Sequence, residues 1–153
     1  MKIKRKNDFI PAPAGTYVAV CSDWEEMMDQ PDRYHPGKTV DMIRIYWQIN
    51  KIMPGTQQNF LVQRTFTANL GPKTNFAKTL TAWLGRPISK EEEDNGFDPE
   101  TLVGLACLLS IVHSTSDDGT VWANVESVLA LPEGTNAFKP AGYTRKRDRS
   151  EAA

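Results

Sequence analysis

The chain has 153 residues, with 18 Lys and Arg against 19 Asp and Glu, so its formal net charge is −1. This length predicts one domain with a sizeable core, and the near-zero charge weighs against a strongly electrostatic nucleic-acid binder. No apolar run approaches the roughly 18 residues that cross a bilayer, and the basic N-terminus lacks the apolar segment of a secretory signal. We therefore expect a cytoplasmic protein that does not associate with membranes.

Positive charge is concentrated at both ends of the sequence. The prolines Pro11 and Pro13 predict that residues 1–14 form an extended basic N-terminal arm. Residues 133–153 lack periodicity, which predicts a flexible basic C-terminal tail. Either end is a basic arm that contacts a partner or a solvated segment that aids solubility. The basic residues concerned are Lys2, Lys4, Arg5, Lys6, Arg145, Lys146, Arg147 and Arg149.

The first predicted strand covers about residues 15–24. Strict alternation along it would place Trp24 on the face of Val18 and Val20, opposite Cys21. The next segment, residues 25–40, contains two prolines and a glycine, which predicts a long loop.

The second and third predicted strands form a hairpin. Residues 41–51 alternate cleanly, so isoleucines and Trp47 should face the core while Arg44, Tyr46 and Gln48 face a surface. A Pro-Gly turn then leads into residues 59–68. In that strand Arg64 and Phe66 share one side, and only a bulge would bring Arg64 to the surface of Arg44.

One amphipathic helix is predicted over residues 73–84. Apolar residues recur there at helical spacing, Thr74 or Asn75 can cap its start, and Gly85 can end it. Ser89 and Glu92 have capping-box spacing, which predicts a further helical turn.

The last two strands form the clearest hairpin in the sequence. Residues 105–113 and 120–129 are rich in apolar and β-branched residues, and the polar turn between them ends in Asp118-Gly119. On the second of these strands Trp122 should point outward, beside Asn124 and Glu126.

This order of elements predicts a mainly β protein. Five strands with one helix between strands 3 and 4 are the arrangement of the OB-fold, a five-stranded Greek-key barrel. We therefore expect an OB-fold domain over residues 15–132. An antiparallel sheet with the helix on one face and a Greek-key sandwich are the alternatives.

Signatures of enzymes and cofactors are missing from the sequence. There is no Gly-rich phosphate loop, and the positions of His35 and His113 indicate no nucleophile–base pair. The cysteines Cys21 and Cys107 lie in apolar contexts without C-x-x-C spacing, which predicts buried free thiols. We expect a protein that is not an enzyme and that binds no metal or other cofactor.

Aromatic and basic residues on the expected strand surfaces predict binding to single-stranded nucleic acid. Bases stack on aromatic rings, whereas Arg and Lys side chains follow the phosphates. In OB-folds the binding surface covers strands 2 and 3 and is flanked by the first loop and the last hairpin loop. The candidate binding residues are Tyr34, Lys38, Arg44, Tyr46, Arg64, Phe66 and Trp122.

Several motifs are similar to those of a family of phage and prophage OB-fold proteins that resemble single-stranded-DNA-binding proteins. The shared features are an early Gly-x-Tyr strand at Gly15, an Asn-Phe…Leu…Trp-Leu-Gly-Arg helix at residues 75–86, and a Phe-Asp…Leu-x-Gly turn at residues 97–104. An Ala-Asn-Val-x-Ser-Val-x-x-Leu-Pro ending follows, at residues 123–132. The resemblance implies a role in phage DNA replication or recombination in the host cytoplasm, with replication or recombination proteins as partners.

The sequence thus leads to two hypotheses about function. The first is sequence-nonspecific binding of single-stranded DNA. The second is an OB-fold module for protein interaction or assembly that does not bind nucleic acid, which the nearly neutral charge favours. The sequence does not determine the oligomeric state.

Overall fold

Five antiparallel strands form a single sheet in the order β3-β2-β1-β4-β5. The computed structural model describes residues 10–149, so the predictions for residues 1–9 and 150–153 lie outside the described residues. The strands are β1 (Gly15–Pro31), β2 (Thr39–Ile52), β3 (Asn59–Thr67), β4 (Ala106–Thr115) and β5 (Val121–Leu129). The mainly β architecture, with five strands and the two predicted hairpins, is confirmed.

The long strand β1 joins the two halves of the sheet. Its first residues pair with β4, from Gly15 opposite Ile111, and its remainder pairs with β2 as far as Pro31 opposite Thr39. The prediction of a loop over residues 25–40 was therefore wrong for residues 25–31. The register with β2 shifts after Met27, where Asp29 has a φ of 51°. Strand β1 continues through this irregularity as far as Pro31.

A second irregularity in β1 changes which side chains face the core. Cys21 pairs with Trp47 and Asp23 with Tyr46, which leaves Ser22 as an extra residue. The bulge reverses the alternation, so Trp24 lies on the same face as Cys21 and not with Val18 and Val20 as predicted. It also places Asp23 on the outer face of the sheet.

The helix α1 (Asn75–Leu84) covers the inner face of the sheet. Thr74 caps it by accepting a hydrogen bond from the Ala77 N–H at 3.2 Å, and Gly85 ends it at a φ of 71°. Leu80 is fully buried, and Trp83 packs against Trp47 of β2 with ring centroids 5.7 Å apart. The prediction of this helix and of its ends is confirmed.

Between β3 and β4 the chain forms a second short helix and a 3-10 turn in addition to α1. A second helix, α2 (Lys90–Asn95), begins with the Ser89–Glu92 capping box, and a 3-10 turn follows at Pro99–Leu102. The capping-box prediction of a further helical turn is therefore confirmed. None of the helices within residues 10–149 is long and apolar enough to cross a membrane.

The sheet is not closed into a barrel. Within residues 10–149 no ladder of backbone hydrogen bonds joins the edge strands β3 and β5. Instead, the Arg64 guanidinium of β3 donates a hydrogen bond to the Glu126 carbonyl of β5 at 3.2 Å. A side chain thus bridges the two edges where a closed barrel would have a ladder.

The substitution Leu80→Ala should lower the free energy of unfolding by about 2–5 kcal/mol, because it leaves a cavity beneath the sheet. Chemical denaturation monitored by tryptophan fluorescence measures the change. Leu129→Ala is the matched control, since the Leu129 side chain is 47% exposed and its loss should cost far less. Equal costs for the two variants would contradict this position of the core.

Candidate nucleic-acid interface

The alternation predicted for β2 is confirmed, but its outer face is not an open surface. Ile45 and Trp47 are buried in the core, and Arg44 lies on the other face. On that outer face Tyr46 is only 4% exposed and Gln48 only 3% exposed. The prediction that Tyr46 offers its ring to a base was therefore wrong.

The cover over Tyr46 and Gln48 is the C-terminal strap, which we define as residues 141–149. The Ala141 carbonyl accepts a hydrogen bond from Gln48 Nε2 at 2.8 Å, and the Ala141 N–H donates to Asn59 Oδ1 at 3.0 Å. Gly142 follows at a φ of 89°, against Gln58. Residues 141–149 are thus bound to the sheet, which differs from the flexible tail that we predicted for residues 133–153.

The Asp23 carboxylate is the main anchor of the strap. It is 2% exposed and accepts hydrogen bonds from the Tyr143 hydroxyl at 2.6 Å, the Lys146 N–H at 2.9 Å and the Arg145 guanidinium at 3.3 Å. Burial alone would raise the pKa of Asp23, but the hydrogen bonds from Lys146, Tyr143, Trp24 and Arg145 together outweigh burial and hold this pKa below its ordinary range. The carboxylate therefore stays ionised beneath the strap.

Glu100 binds the strap from the turn after α2. The Arg145 guanidinium contacts it with two nitrogens, at 2.5 and 2.7 Å, and Trp24 Nε1 donates to the same carboxylate at 2.9 Å. Such a two-point contact fixes the orientation of both groups. Hydrogen bonds from Arg145 and Trp24 lower the pKa of Glu100 from 4.5 to about 2.

The third carboxylate beneath the strap is Glu25. Lys146 Nζ contacts both of its oxygens, at 2.9 and 3.0 Å, and also lies 4.9 Å from the centroid of the Tyr46 ring. The Tyr46 hydroxyl donates to the same carboxylate. Across the whole interface Asp23, Glu25 and Glu100 face Arg145, Lys146 and Arg147.

Arg44 and Arg64 lie on opposite faces of the sheet. Arg44 pairs with Thr65 and Ile45 with Arg64, so no bulge brings the two arginines to one surface. Arg44 is on the outer face as predicted, where it donates to Thr65 Oγ1 at 3.1 Å and lies 3.5 Å from a Glu25 oxygen.

Phe66 cannot stack on a base in this fold. It is 3% exposed and packs against Phe76 of α1 with ring centroids 5.3 Å apart, so its prediction as a binding residue was wrong. Its alternation with Thr65 and Thr67 turns it toward the core. The Arg64 guanidinium lies 4.9 Å from the Phe66 ring centroid, at the edge of the sheet.

A groove of about 580 Å³ lies between the β1–β2 loop, the edge strand β3 and the start of α1. We call it the basic groove, because its cations Arg33, Arg64 and Lys73 outnumber its single carboxylate, Asp32. His35 contacts that carboxylate at 2.9 Å. Tyr34 is 80% exposed at the groove, so its ring is open to a ligand.

The basic groove contains only some of the predicted site residues. Tyr34 and Arg64 line it together, whereas Lys38 is exposed in the same loop without lining it. Trp122 faces outward on β5 as predicted and is 48% exposed, with its Nε1 3.4 Å from Ser116 Oγ in the β4–β5 turn. Sequence reasoning missed Lys73, because we assigned it only to the start of the helix.

A second groove, of about 500 Å³, has the opposite charge. Four carboxylates line this acidic groove together with apolar side chains, among them the 56% exposed Met28. Of these two grooves, the basic groove has the charge that suits a polyanion. The acidic residues are Glu26, Asp41, Glu92 and Glu93.

No protein-family model and no curated protein sequence matches this chain. Within the part of the chain that the structure describes, no group of three or more His, Cys, Asp or Glu side chains is arranged to hold a metal ion.

Acid should release the strap. The pKa of Asp23 and of Glu100 is lower in the folded chain than the ordinary values of 3.8 and 4.5, so only the ionised carboxylates favour docking. Docking should be complete above about pH 5 and weaken as the pH falls toward 2. The NMR chemical shift of the Lys146 N–H reports how much of the strap is docked. A chemical shift that does not change as the pH falls from about 5 to 2 would contradict docking through these carboxylates.

Gly142→Ala should also release the strap, because a Cβ there would lie 2.2 Å from Gln58 Cγ and 3.0 Å from Gln58 Cα. Gly134→Ala is the matched control, since Gly134 has a similar φ of 84° and no atom within 4 Å of such a Cβ. Trypsin should cleave the strap about tenfold faster in the Gly142 variant, because a loss of about 1.4 kcal/mol in the free energy of docking exposes the strap ten times as often. Equal cleavage of the two variants would contradict the close approach at Gly142.

Proposed function

We propose that this chain binds single-stranded DNA without sequence preference and that the strand lies in the basic groove. The observation that carries the proposal is the combination of Arg33, Arg64 and Lys73 with the exposed ring of Tyr34. Proteins that bind single strands combine cations that follow the phosphates with aromatic rings on which bases stack. Because every base has a flat face, such stacking requires no particular sequence.

The charge of the two surfaces favours the groove over the outer face of β2. On the outer face the strap cations are already paired with Asp23, Glu25 and Glu100, so few charges remain for phosphates. The groove cations have fewer carboxylates around them. The proposed path of the strand therefore follows the edge of β3 and the β1–β2 loop.

Strand topology supports an OB-fold as the architecture behind this function. The order β3-β2-β1-β4-β5, with one long strand shared by both halves, is what opening a five-stranded Greek-key barrel between β3 and β5 would give. The Arg64–Glu126 contact holds those two edges near each other. With the resemblance to phage proteins, this supports a role in phage DNA replication or recombination.

The acidic groove supports a second candidate function. Its four carboxylates and the exposed Met28 suit a basic, partly apolar segment of a protein partner. This is the alternative of an interaction or assembly module, and it requires no nucleic acid. A DNA titration separates the two functions, because the interaction module would leave oligo-dT unbound.

Lys73→Ala should weaken binding to oligo-dT and reduce the salt dependence of the affinity. Loss of one phosphate contact should lower the slope of log K against log salt concentration by about 0.7. Fluorescence anisotropy of labelled oligo-dT over a series of salt concentrations measures both quantities. Lys78→Ala is the matched control, since Lys78 is exposed on α1, just after Lys73 in the chain, but lies outside the groove.

The same titration with variants of Tyr34 tests whether its ring stacks on a base. Tyr34→Ala should cost about 1–3 kcal/mol of binding free energy through lost stacking, whereas Tyr34→Phe keeps the ring and should bind almost normally. Absence of binding by the unsubstituted chain at low salt would contradict the proposed function. Equal effects of the Lys73 and Lys78 substitutions would contradict the placement in the groove.

A further inference from the structure

The surface beneath the strap binds a basic segment of the same chain. We define the strap site as the outer-face carboxylates Asp23 and Glu25, the Glu100 carboxylate of the 3-10 turn, and the polar groups of Tyr46 and Gln48. We propose that this site accepts the C-terminal strap of a second copy of the chain as well as its own. Two copies that exchange straps would then be joined by contacts that the structure already contains.

Charge complementarity identifies the occupant. Three carboxylates of the site face three cations of the strap, and the Asp23 side chain is almost completely buried between them. A site without a strap would leave those carboxylates without their partners, which is costly for closely spaced like charges. A polyanion cannot fill such a site, whereas a segment with the chemistry of Tyr143, Arg145 and Lys146 can.

The connection between the strap and the sheet permits exchange. Residues 130–140 form no helix or strand, and an extended segment of eleven residues reaches roughly 36–40 Å. At its start the Ala130 N–H donates to the Ala82 carbonyl at 2.9 Å, so the sheet and α1 hold that end. The strap can therefore leave one site and enter another without a change in the fold of either copy. Exchange of identical elements is a low-cost route to association.

Concentration decides which copy fills the site. A short connection without regular structure gives the chain's own strap an effective concentration in the millimolar range. In dilute solution each chain should therefore close on itself. Copies bound side by side on one DNA strand would be close enough for exchange, and this last step rests on the proposed function.

Charge reversal tests exchange without DNA. Chain one carries Glu25→Lys with Glu100→Lys, and chain two carries Arg145→Glu with Lys146→Glu. Each chain alone repels its own strap, but in a mixture each strap meets a site of opposite charge. We expect a one-to-one heterodimer in the micromolar range by size-exclusion chromatography with light scattering, and each chain alone should be monomeric.

The chain that carries all four substitutions is the matched control, because it restores complementary charges within one copy and should be monomeric. Circular dichroism establishes that each variant is folded. A mixture of folded variants that remains monomeric would overturn the proposal.

The unsubstituted chain gives a second measurement, which does not depend on the folding of variants. A carbodiimide activates the Glu25 carboxylate, and Lys146 Nζ, 2.9 Å away, then forms an amide as the carbodiimide leaves as a urea. In an equal mixture of ¹⁵N-labelled and unlabelled chains, joined peptides with mixed labels arise only from exchanged straps.

Mixed labels should be absent at micromolar concentration and appear as the protein approaches the effective concentration of about a millimolar. Unmixed labels throughout would overturn the proposal. On long oligo-dT the mixed fraction should rise already at micromolar protein. If it rises only in concentrated solution, exchange stands and its promotion by DNA fails, while the oligo-dT titration decides separately whether the chain binds DNA.

Discussion

The buried Asp23 carboxylate is the interaction on which the rest of this structure depends. The Ser22 bulge turns Asp23 to the outer face of β1, where groups of Tyr143, Arg145 and Lys146 bind it. A carboxylate that is 2% exposed needs such partners, because burying an unpaired charge is costly. One irregularity in a strand therefore determines where the strap lies.

Docking of the strap changes which surface can meet a ligand. It covers Tyr46 and Gln48 and pairs the cations of the C-terminus with carboxylates of the sheet. The net charge of −1 does not reveal this arrangement. One small molecule carries a neutralised outer face, a basic groove and an acidic groove. The placement of charge, and not the total, favours the basic groove for a polyanion.

Local patterns were sufficient to predict most of the elements. Alternation predicted β2, the Asp118-Gly119 turn predicted the β4–β5 hairpin, and Thr74 and Gly85 predicted the ends of α1. The bulge at Ser22 could not be predicted, because a single extra residue leaves no mark in the composition of a strand. Its consequence was an incorrect face for Trp24.

The candidate site was harder to predict than the fold, because its residues meet through contacts between distant parts of the sequence. The strap lies about 120 residues from Asp23 in the sequence and has no periodicity of its own. Only the opposite charges of the strap and of β1 could have indicated that the strap docks on that strand. Phe66 was assigned to a binding surface although its alternation with Thr65 and Thr67 also allowed a core position. Lys73 joins the groove only because α1 begins beside β3.

¹H–¹⁵N NMR of the labelled chain during titration with oligo-dT shows directly which surface the strand contacts. If the strand lies in the basic groove, backbone signals of Arg33, Tyr34, Arg64 and Lys73 should shift in proportion to bound DNA, while those of Tyr46 and Lys146 stay in place. Shifts confined to Tyr46, Gln48 and the strap would contradict the account, because they would place the DNA on the outer face that the strap covers.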